Sequence, residues 1–436
     1  QVAPEDCTGC NLCVEVCPAK DRQDPSIKAI NMMSRLEHVE EEKVNYDFFL
    51  DLPEIDRNKL ERIDIRTSQL ITPLFEYSGA CSGCGETPYI KLLTQLYGDR
   101  MLIANATGCS SIYGGNLPST PYTTDANGRG PAWANSLFED NAEFGLGFRL
   151  TVDQHRARVM RLLAQFADKI PAELNDALHA EATPDVRRAQ VAELRHALQG
   201  VEGAEQLLTD ADALVEKSIW LIGGDGWAYD IGFGGLDHVL SLTENVNILV
   251  LDTQCYSNTG GQASKATPLG AVTKFGEHGK RKARKDLGVS MMMYGHVYVA
   301  QISLGAQLNQ TVKAIQEAEA YPGPSLIIAY SPCEEHGYDL ALSHDQMRQL
   351  TATGFWPLYR FDPRRADEGK LPLALDSRPP SDALAETLLQ EQRFRRLNAQ
   401  QPEVAEQLWK DAAADLQKRY DFLAQLAGKA EKSTSE

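Results

Sequence analysis

The sequence has no apolar run as long as a membrane span, no recognisable signal peptide, and fewer basic than acidic residues. Lysine and arginine total 43, against 61 aspartates and glutamates, which gives a formal net charge of −18. A negative charge of this size argues against binding to nucleic acid or to an anionic membrane surface, because both would repel it. We therefore expect a cytoplasmic protein without nucleic-acid or membrane partners.

Cysteine is also scarce, with nine in 436 residues, but its distribution is uneven. Seven of the nine lie at the short separations that metal ligands show, in a large acidic chain without a signal sequence. This pattern favours metal binding in a reducing cytosol over a disulfide framework. The length is sufficient for two or three domains with sizeable cores.

The first cysteine group is Cys7, Cys10, Cys13 and Cys17, followed by Pro18. This C-x₂-C-x₂-C-x₃-C-P pattern is typical of bacterial ferredoxins that hold [4Fe–4S] clusters. In two-cluster ferredoxins the fourth cysteine of such a run ligates the other cluster, so Cys17 would need partners upstream of this sequence. We therefore expect the chain to be the C-terminal piece of a longer protein. A zinc site is the alternative.

A second pattern joins two predicted strands to oxygen-bearing residues. Residues 219–222 and 246–251 have the length and branching of buried parallel strands, and the segment between them can hold a crossover helix. Asp225 follows the first strand, and Asp252 and Thr253 end the second. Ligands bind at the carboxyl ends of such strands, and nearby glycines let backbone amides approach a phosphate. Because hard oxygen donors beside a phosphate suit Mg²⁺, we predict a diphosphate–Mg²⁺ site.

A second cysteine group comprises Cys81 and Cys84, spaced C-x₂-C, and Cys109, which follows an apolar strand and a glycine. These three could hold corners of another [4Fe–4S] cluster, with neighbouring glycine amides bonded to its sulfurs. A zinc site or a redox-active pair are the alternatives. The Gly-, Pro- and aromatic-rich residues 113–148 are interpreted as ordered loops that wall a pocket.

Two further segments are interpreted from their charge and periodicity. Residues 153–217 place apolar side chains at helical spacing, which predicts a helical insertion between strands. Residues 280–285 form a dense basic run. We interpret this run as a solvated face, with docking to an acidic electron acceptor or to coenzyme A as the alternative.

These motifs together resemble one enzyme family. Gly-Asp-Gly at residues 224–226, the later oxygen-bearing pair and the Tyr-Ser-Asn-Thr-Gly-Gly of residues 256–261 are similar to the thiamine diphosphate (ThDP) motif of pyruvate:ferredoxin (flavodoxin) oxidoreductases. Most ThDP enzymes carry Asn-Asn at the second position, where this sequence has Asp252-Thr253. The ferredoxin-like run, the second cysteine group and the aromatic loops resemble the same family.

The resemblance implies an oxidoreductase that uses ThDP, Mg²⁺ and [4Fe–4S] clusters. It would convert pyruvate and coenzyme A to acetyl-CoA and CO₂ and pass the electrons through the clusters to ferredoxin or flavodoxin. A related enzyme for 2-oxoglutarate or an aryl pyruvate, and a non-catalytic iron–sulfur electron-transfer subunit, are the alternatives. The resemblance also implies a homodimer and further N-terminal domains, without which this chain is incomplete, and no catalytic residue is identified within it.

The resemblance assigns roles around ThDP. Asp225, Thr253 and the carbonyl of Cys255 are expected to ligate Mg²⁺. Glu86 is expected to be a polar neighbour of the cofactor. The residues expected to face the diphosphate are Gly224, Gly226 and Asn258.

The cluster near ThDP needs four thiolates, and Cys81, Cys84 and Cys109 supply three of them. The resemblance makes Cys333 the fourth, in its Cys-x-x-His-Gly setting. Cys255 is the competing candidate, but a backbone turned to give its carbonyl to Mg²⁺ is poorly placed to send the same side chain to a cluster. The other cluster ligands are expected to be Cys7, Cys10, Cys13 and Cys17.

The predicted fold class is therefore α/β: a parallel-sheet, diphosphate-type ThDP-binding domain with a helical insertion, preceded by part of a bacterial-type ferredoxin domain. The predicted boundaries are residues 1–33 for the ferredoxin-like segment, 34–72 for a connector, 73–363 for the ThDP domain with its insertion at 153–217, and 364–436 for a C-terminal arm.

Overall fold

One sheet of eight strands organises the computed structural model, which describes residues 2–115, 119–381 and 383–429. The strands in chain order are β1 (Met101–Asn105), β2 (Ala132–Asn135), β3 (Ser218–Gly224), β4 (Asn247–Asp252), β5 (Tyr298–Ile302), β6 (Ser325–Tyr330), β7 (Tyr359–Phe361) and β8 (Leu373–Leu375). Their spatial order is β2-β1-β3-β4-β6-β5-β7-β8. The first six are parallel, and β7 and β8 add an antiparallel edge.

Helices cover both faces of the sheet. The helices are α1 (Leu12–Val16), α2 (Arg35–Leu50), α3 (Ile65–Ser68), α4 (Thr87–Tyr97), α5 (Cys109–Gly114), α6 (Asn141–Gln165), α7 (Ala172–His179), α8 (Pro184–Ala197), α9 (Glu205–Asp210), α10 (Phe233–Ser241), α11 (Leu287–Met292), α12 (Leu308–Glu319), α13 (Ser343–Ala352), α14 (Leu384–Leu388), α15 (Gln392–Gln400) and α16 (Pro402–Leu426). A π-helical turn at Gly226–Ile231 lies between β3 and α10.

The central strands read as continuous apolar runs because both of their faces are covered. In β4, Ile248 and Val250 join the core on the side of α10 and α11. Leu249 and Leu251, on the opposite face of the same strand, join the core on the side of α4 and α12. This alternation follows from the two-residue period of a strand, and it produces a three-layer α/β/α arrangement. The predicted α/β class with a mostly parallel sheet is confirmed.

The helical insertion has a core of its own. Leu174, Val191, Leu194 and Leu207 pack together on α7, α8 and α9. Helix α6 belongs to both regions, since Val159 and its C-terminal half enter this core while its N-terminal half packs on the sheet. The helical content expected for residues 153–217 is present, and the first helix begins earlier, at residue 141.

The N-terminal part of the chain packs differently from the rest. None of the 16 residues of α2, all described by the structure, is buried, and Leu36 and Phe48 are 83% and 68% exposed. The segment expected to be an irregular connector therefore contains a regular helix whose apolar side chains are mostly exposed. Within residues 2–33 of the ferredoxin-like segment, one antiparallel bridge joins Lys20 and Lys28.

Short strands were not foreseen from the sequence. Strand β2 lies in the loop-rich segment, and β7 and β8 form an antiparallel pair where the C-terminal arm was expected to begin. Each has only three or four residues, too few for a periodic pattern to be visible. The arm is otherwise helical, as α14 to α16, and residues 430–436 lie outside the described residues. Across the described ranges, no helix has the length and apolar character needed to cross a bilayer.

Alanine substitutions at two glycines of α6 test the contact between this helix and the sheet. A methyl group at Gly145 would overlap the buried side chain of Leu221 in β3, whereas one at Gly147, two residues later, would meet nothing within 4 Å. Gly145→Ala should therefore lower the free energy of unfolding by about 1–3 kcal/mol through overpacking. Gly147→Ala, the matched control, should raise it by about 0.5–1 kcal/mol because alanine favours the helix. Chemical denaturation of both variants measures the difference, and equal effects would contradict this account of the packing.

Candidate functional site

The loops that follow β1, β3, β4 and β6 meet at one edge of the sheet, because these four strands are parallel neighbours in register. They carry Cys109, Asp225, Thr253 and Cys333. The register continues past the strand ends, where the Ser331 amide donates to the Asp252 carbonyl at 2.9 Å. Sequence positions more than 200 residues apart thus meet at the carboxyl edge of the sheet, where α/β proteins bind ligands.

Three oxygen atoms converge at the ends of β3 and β4. The Thr253 hydroxyl lies 3.0 Å from Asp225 Oδ1 and 3.1 Å from the Cys255 carbonyl oxygen. The Ser264 hydroxyl donates to the other Asp225 oxygen at 2.5 Å. A carboxylate, a hydroxyl and a carbonyl oxygen are hard donors of the kind that Mg²⁺ takes, and the cation usually completes its shell with phosphate oxygens and water. The donor set therefore fits the predicted Mg²⁺ site, whose ligands remain a prediction.

Asp252 does not point into this group of oxygens. Its Oδ2 accepts hydrogen bonds from the Tyr229 hydroxyl at 2.7 Å and from Arg284 at 2.8 Å. Arg284 belongs to the basic run at residues 280–285, and its guanidinium also lies over the Trp356 ring. Lys280 of the same run donates to the Thr267 carbonyl at 2.6 Å. The interpretation of this run as a solvated face is therefore wrong for Arg284 and Lys280. Their side chains instead form hydrogen bonds with Asp252 and with the Thr267 carbonyl oxygen.

Asp225 is fully buried, and its burial together with the charge of Asp252 raises the pKa of its carboxyl group to about 8. The hydrogen bonds from Ser264 and Thr253 lower this pKa but do not cancel the effect. A buried carboxylate next to another acid is costly when ionised, and a cation placed on it removes that cost. The electrostatics of the loop therefore favour a bound cation.

A cavity of about 170 Å³ lies beside the oxygen group. Gly224 and Gly226 form part of its wall, and a Cβ at Gly226 would lie 2.7 Å from the Tyr256 ring. The absence of a side chain at both positions keeps backbone amides accessible, as phosphate binding requires. Phe138 and Asn258 also line the cavity, so the three residues predicted to face a diphosphate, Gly224, Gly226 and Asn258, share one space.

A second cavity of about 170 Å³ adjoins the first and is lined by the four cysteines predicted to hold a cluster. These are Cys81, Cys84, Cys109 and Cys333. In the described ranges, no group of three or more His, Cys, Asp or Glu side chains is arranged to hold a metal ion. Four sulfurs around a cavity are instead the donor set of a [4Fe–4S] cluster, so the residues present fit that group.

Backbone contacts fix the relative positions of these cysteines. The Gly85 amide donates to the Pro332 carbonyl at 2.9 Å, which ties the loop of Cys84 to the loop of Cys333. A side chain at Gly85 would overlap Pro332, so the close approach requires glycine. The sulfur of Cys109 lies 3.3 Å from the Ser257 hydroxyl, which joins the cluster cavity to the loop after β4.

Glu86 lines both cavities. Its side chain is 3% exposed and accepts a hydrogen bond from the Tyr113 hydroxyl at 3.0 Å. Burial raises the pKa of Glu86 to about 7, against the opposing effect of Tyr113. A carboxyl group with a pKa near neutrality can hold or release a proton under working conditions. Glu86 thus borders the cavity predicted for ThDP, and its role as a polar neighbour of the cofactor stays a prediction.

Buried polar residues that do not line these two cavities support the loop after β4. His336 Nε2 lies 2.7 Å from the Thr253 carbonyl oxygen, and burial lowers the pKa of this imidazole far enough to keep it neutral. Arg393 of α15 donates to Gln254 at 2.8 Å and to Glu391 at 2.6 Å. Gln254 itself has a left-handed backbone, with φ 62°, at the point where the loop turns. The C-terminal arm thus stabilises the conformation of the loop.

The four cysteines of the N-terminal run are not buried. Gly9 and Asn11 adopt left-handed backbone conformations between them, with φ 73° and 62°. Helix α1 packs against the turn Leu340–Leu342, and Leu340 also contacts Gly83 of the second cysteine group. The turn therefore lies between the two cysteine groups, whose ligand roles remain predictions.

Several residues of the site were not identified from the sequence. Ser264 and Arg393 touch the candidate ligands or their supports without belonging to a motif. Arg284 and Tyr113 lie in the basic run and in the aromatic loops, but neither segment indicated their individual roles. His336 had a visible signal in the Cys-x-x-His-Gly sequence around Cys333.

Comparison with known families and proteins agrees with this geometry. Residues 196–329 match the family described as thiamine pyrophosphate enzyme, C-terminal TPP binding domain, and residues 1–20 match the 4Fe-4S binding domain. The prediction that the chain carries domains for ThDP and for [4Fe–4S] clusters is thereby confirmed.

Individual relatives match the chain over nearly its whole length. It is 92% identical over 436 residues to a probable pyruvate-flavodoxin oxidoreductase from Escherichia coli (strain K12), covering 100% of this chain and 37% of the relative. It is 56% identical to a putative pyruvate-flavodoxin oxidoreductase from Synechocystis sp., covering 97% and 36% respectively. It is 48% identical to a pyruvate:ferredoxin oxidoreductase from Moorella thermoacetica, covering 98% and 37%. The chain thus spans little more than a third of the length of these relatives.

Serine substitutions distinguish the roles of Cys333 and Cys255. Cys333→Ser should lose or convert the cluster in the cysteine-lined cavity, because one of four thiolates is removed. Cys255→Ser, the matched variant, should keep the cluster and at most weaken ThDP binding, since its carbonyl is unchanged. Iron content and reduced-state EPR of the two anaerobically purified variants measure this. Cluster loss in Cys255→Ser with retention in Cys333→Ser would reverse the assignment.

The raised pKa of Asp225 predicts how stability depends on pH. Because the folded-state pKa is about 8 and the ordinary value is 3.8, unfolding releases a proton between these limits. Without a cation, the free energy of unfolding should therefore fall as pH rises through this window. Mg²⁺ with ThDP binds the ionised carboxylate, so the increase in Tm that they cause should be larger at about pH 8 than at about pH 6.

Asp225→Asn is the control for this dependence. The variant has no group to ionise at this position, so both the pH slope and the Mg²⁺-dependent increase in Tm should be reduced. Thermal scans with and without Mg²⁺ and ThDP at the two pH values make the comparison. An undiminished Mg²⁺ effect in Asp225→Asn would show that the cation binds elsewhere.

Proposed function

Because the chain matches pyruvate-flavodoxin oxidoreductases along its entire length, we propose that it forms the C-terminal part of such an enzyme. This part binds ThDP with Mg²⁺ and the [4Fe–4S] cluster next to it. The complete enzyme converts pyruvate and coenzyme A to acetyl-CoA and CO₂, and flavodoxin or ferredoxin takes the electrons.

A wall shared by the two cavities is the observation that supports this proposal most strongly. Glu86, Cys109, Ser257 and Asn258 line both the glycine-walled cavity and the cysteine-lined one. An oxidative decarboxylation needs an electron acceptor close to the carbon centre, because the electrons leave one at a time through the clusters. A single layer of side chains between the two sites provides that proximity.

The residues of the glycine-walled cavity have separate tasks in this proposal. Asp225, Thr253 and the Cys255 carbonyl hold Mg²⁺, and the backbone at Gly224 and Gly226 receives the diphosphate. When bound there, ThDP supplies the electron sink that decarboxylation of a 2-oxo acid requires. Glu86 belongs to the same wall. Because its pKa is raised to about 7, its carboxyl group can hold or release a proton near neutral pH.

The path out of the cluster cavity runs toward the N-terminal cysteines. Leu340 contacts Gly83 in the loop of Cys81 and Cys84, and the turn Leu340–Leu342 packs against α1. We propose that electrons pass from the cluster beside ThDP, across this turn, to the cluster of Cys7, Cys10 and Cys13. An external flavodoxin or ferredoxin then accepts them.

Two observations, the free cysteine thiols and the exposed helix α2, support the proposal that this chain is part of a longer, cytoplasmic enzyme. All nine cysteines lie in described ranges and are free thiols, which suits the cytoplasm as a reducing compartment. The exposed apolar side chains of α2 provide a surface that the rest of a longer enzyme would cover. We propose that the complete enzyme is a homodimer, as the resemblance implies.

The 436-residue chain by itself should bind ThDP but should not oxidise pyruvate. The chain spans 37% of the E. coli relative, and ThDP enzymes bind the cofactor between a diphosphate domain and a pyrimidine domain. Anaerobic assays of pyruvate- and coenzyme A-dependent dye reduction, with ThDP quantified in parallel, test this. Full-length enzyme assayed alongside is the positive control. Turnover by the chain alone would contradict its incompleteness, and a full-length enzyme that carries iron without ThDP would favour a non-catalytic electron-transfer subunit.

A further inference from the structure

The turn formed by residues 264–267 joins the loop after β3 to the loop after β4. The Ser264 hydroxyl donates to Asp225 at 2.5 Å, and the Thr267 hydroxyl donates to the Gln254 carbonyl at 2.7 Å. Both hydroxyl-bearing residues are buried. One turn therefore holds the carboxyl group predicted to ligate Mg²⁺ and also the left-handed residue at which the loop after β4 changes direction.

The ammonium group of Lys280 holds this turn in place. It donates to three carbonyl oxygens, those of Ser264 at 2.9 Å, Thr267 at 2.6 Å and Lys265 at 3.3 Å. An ammonium group has three N–H donors, so all of them are used on one turn. The backbone of Lys280 is itself fixed, because its amide donates to the Ala271 carbonyl at 3.0 Å. Lys280 therefore connects the basic run to the support of the oxygen group.

Lys280 affects a cation at Asp225 in two ways that have opposite signs. Its positive charge repels the cation, so removal of the charge alone would strengthen Mg²⁺ binding. Its hydrogen bonds fix the turn that presents Ser264 to Asp225 Oδ2, while Oδ1 lies 3.0 Å from the Thr253 hydroxyl. Loss of these bonds would free the carboxyl group to rotate and would weaken Mg²⁺ binding.

The effect of the hydrogen bonds should exceed the effect of the charge. Lys280 is only half-buried, so solvent screens its charge. The chain of contacts from Lys280 through Ser264 to Asp225 consists of hydrogen bonds of ordinary length or shorter, and solvent does not separate these groups. Residues that orient a metal ligand typically change metal affinity about 10–100-fold when they are substituted.

We propose that Lys280 is a positioning residue for the Mg²⁺–ThDP site: its ammonium group fixes the turn of residues 264–267 and, through Ser264, the orientation of the Asp225 carboxyl group. The inference rests on the proposed function, because it assumes that Asp225 ligates Mg²⁺. Lys280 does not line the glycine-walled cavity, so its effect on the cation is indirect.

The test uses the complete enzyme of which this chain forms the C-terminal part. Lys280→Met removes the ammonium group and keeps a side chain of similar length. Lys280→Arg keeps the charge but cannot direct one nitrogen at three carbonyl groups. Lys282→Met removes an equal charge from an exposed lysine of the same basic run and is the matched control.

The measured quantity is the free Mg²⁺ concentration at which half of the sites retain ThDP in equilibrium dialysis. Burial lowers the pKa of Lys280 to about 8, so the dialysis is carried out near neutral pH, where the ammonium group keeps its proton. Lys280→Met and Lys280→Arg should both raise the half-saturating concentration about tenfold. Lys282→Met should change it by less than about twofold.

The sign of the change decides between geometry and charge. A lower half-saturating concentration in Lys280→Met, or a parental value in Lys280→Arg, would overturn the positioning role. If Lys280→Met does not fold, the arginine variant decides alone, because the charge is retained and only the hydrogen-bond geometry is lost.

A double variant tests whether Lys280 acts through Ser264. Ser264→Ala removes the hydroxyl that binds Asp225 and should raise the half-saturating Mg²⁺ concentration about 10–100-fold. Adding Lys280→Met to Ser264→Ala should then have a much smaller effect than Lys280→Met has alone. Undiminished effects in the double variant would indicate a general loss of structure and overturn the inference. A parent enzyme that retains no ThDP at any Mg²⁺ concentration would overturn the proposed function itself.

Discussion

The burial of a negative charge at Asp225 is the constraint on which the rest of the site depends. A carboxylate at the end of a fully covered strand is unfavourable unless hydrogen-bond donors and a cation surround it. Ser264 and Thr253 provide donors, and the loop after β4 turns so that a carbonyl oxygen faces the same point. Arg284 forms an ion pair with the neighbouring Asp252 and neutralises its charge. The oxygen donors at this edge are thus arranged as a cation site would require.

The parallel register of the sheet also places the two cavities next to each other. Adjacent strands end at the same level, so the loops that line the glycine-walled cavity also line the cysteine-lined one. Ser257 belongs to the loop that holds the oxygen group, yet its hydroxyl lies against the sulfur of Cys109. Small changes in this loop are therefore expected to reach both the metal and the cluster.

The sequence revealed those parts of the site that local patterns encode. The apolar runs around Asp225 and Thr253 identified two central strands. The cysteine spacings predicted two groups of cluster ligands, and these roles stay predictions. The joining of Cys333 to Cys84 depended on resemblance, because the Gly85–Pro332 contact connects residues that are far apart in the sequence and leaves no local pattern. Arg284 was misjudged since a basic run looks the same whether one guanidinium is solvated or buried.

Helix α6 has a consequence of a different kind. Its first half packs on β3 at Gly145, and its second half enters the separate core of the insertion. The insertion therefore resembles a small domain that is attached to the sheet through one long helix and is stabilised by its own core. Substitutions or length changes within α7 to α9 should therefore affect mainly that local core. The geometry at the sheet edge is expected to stay unchanged.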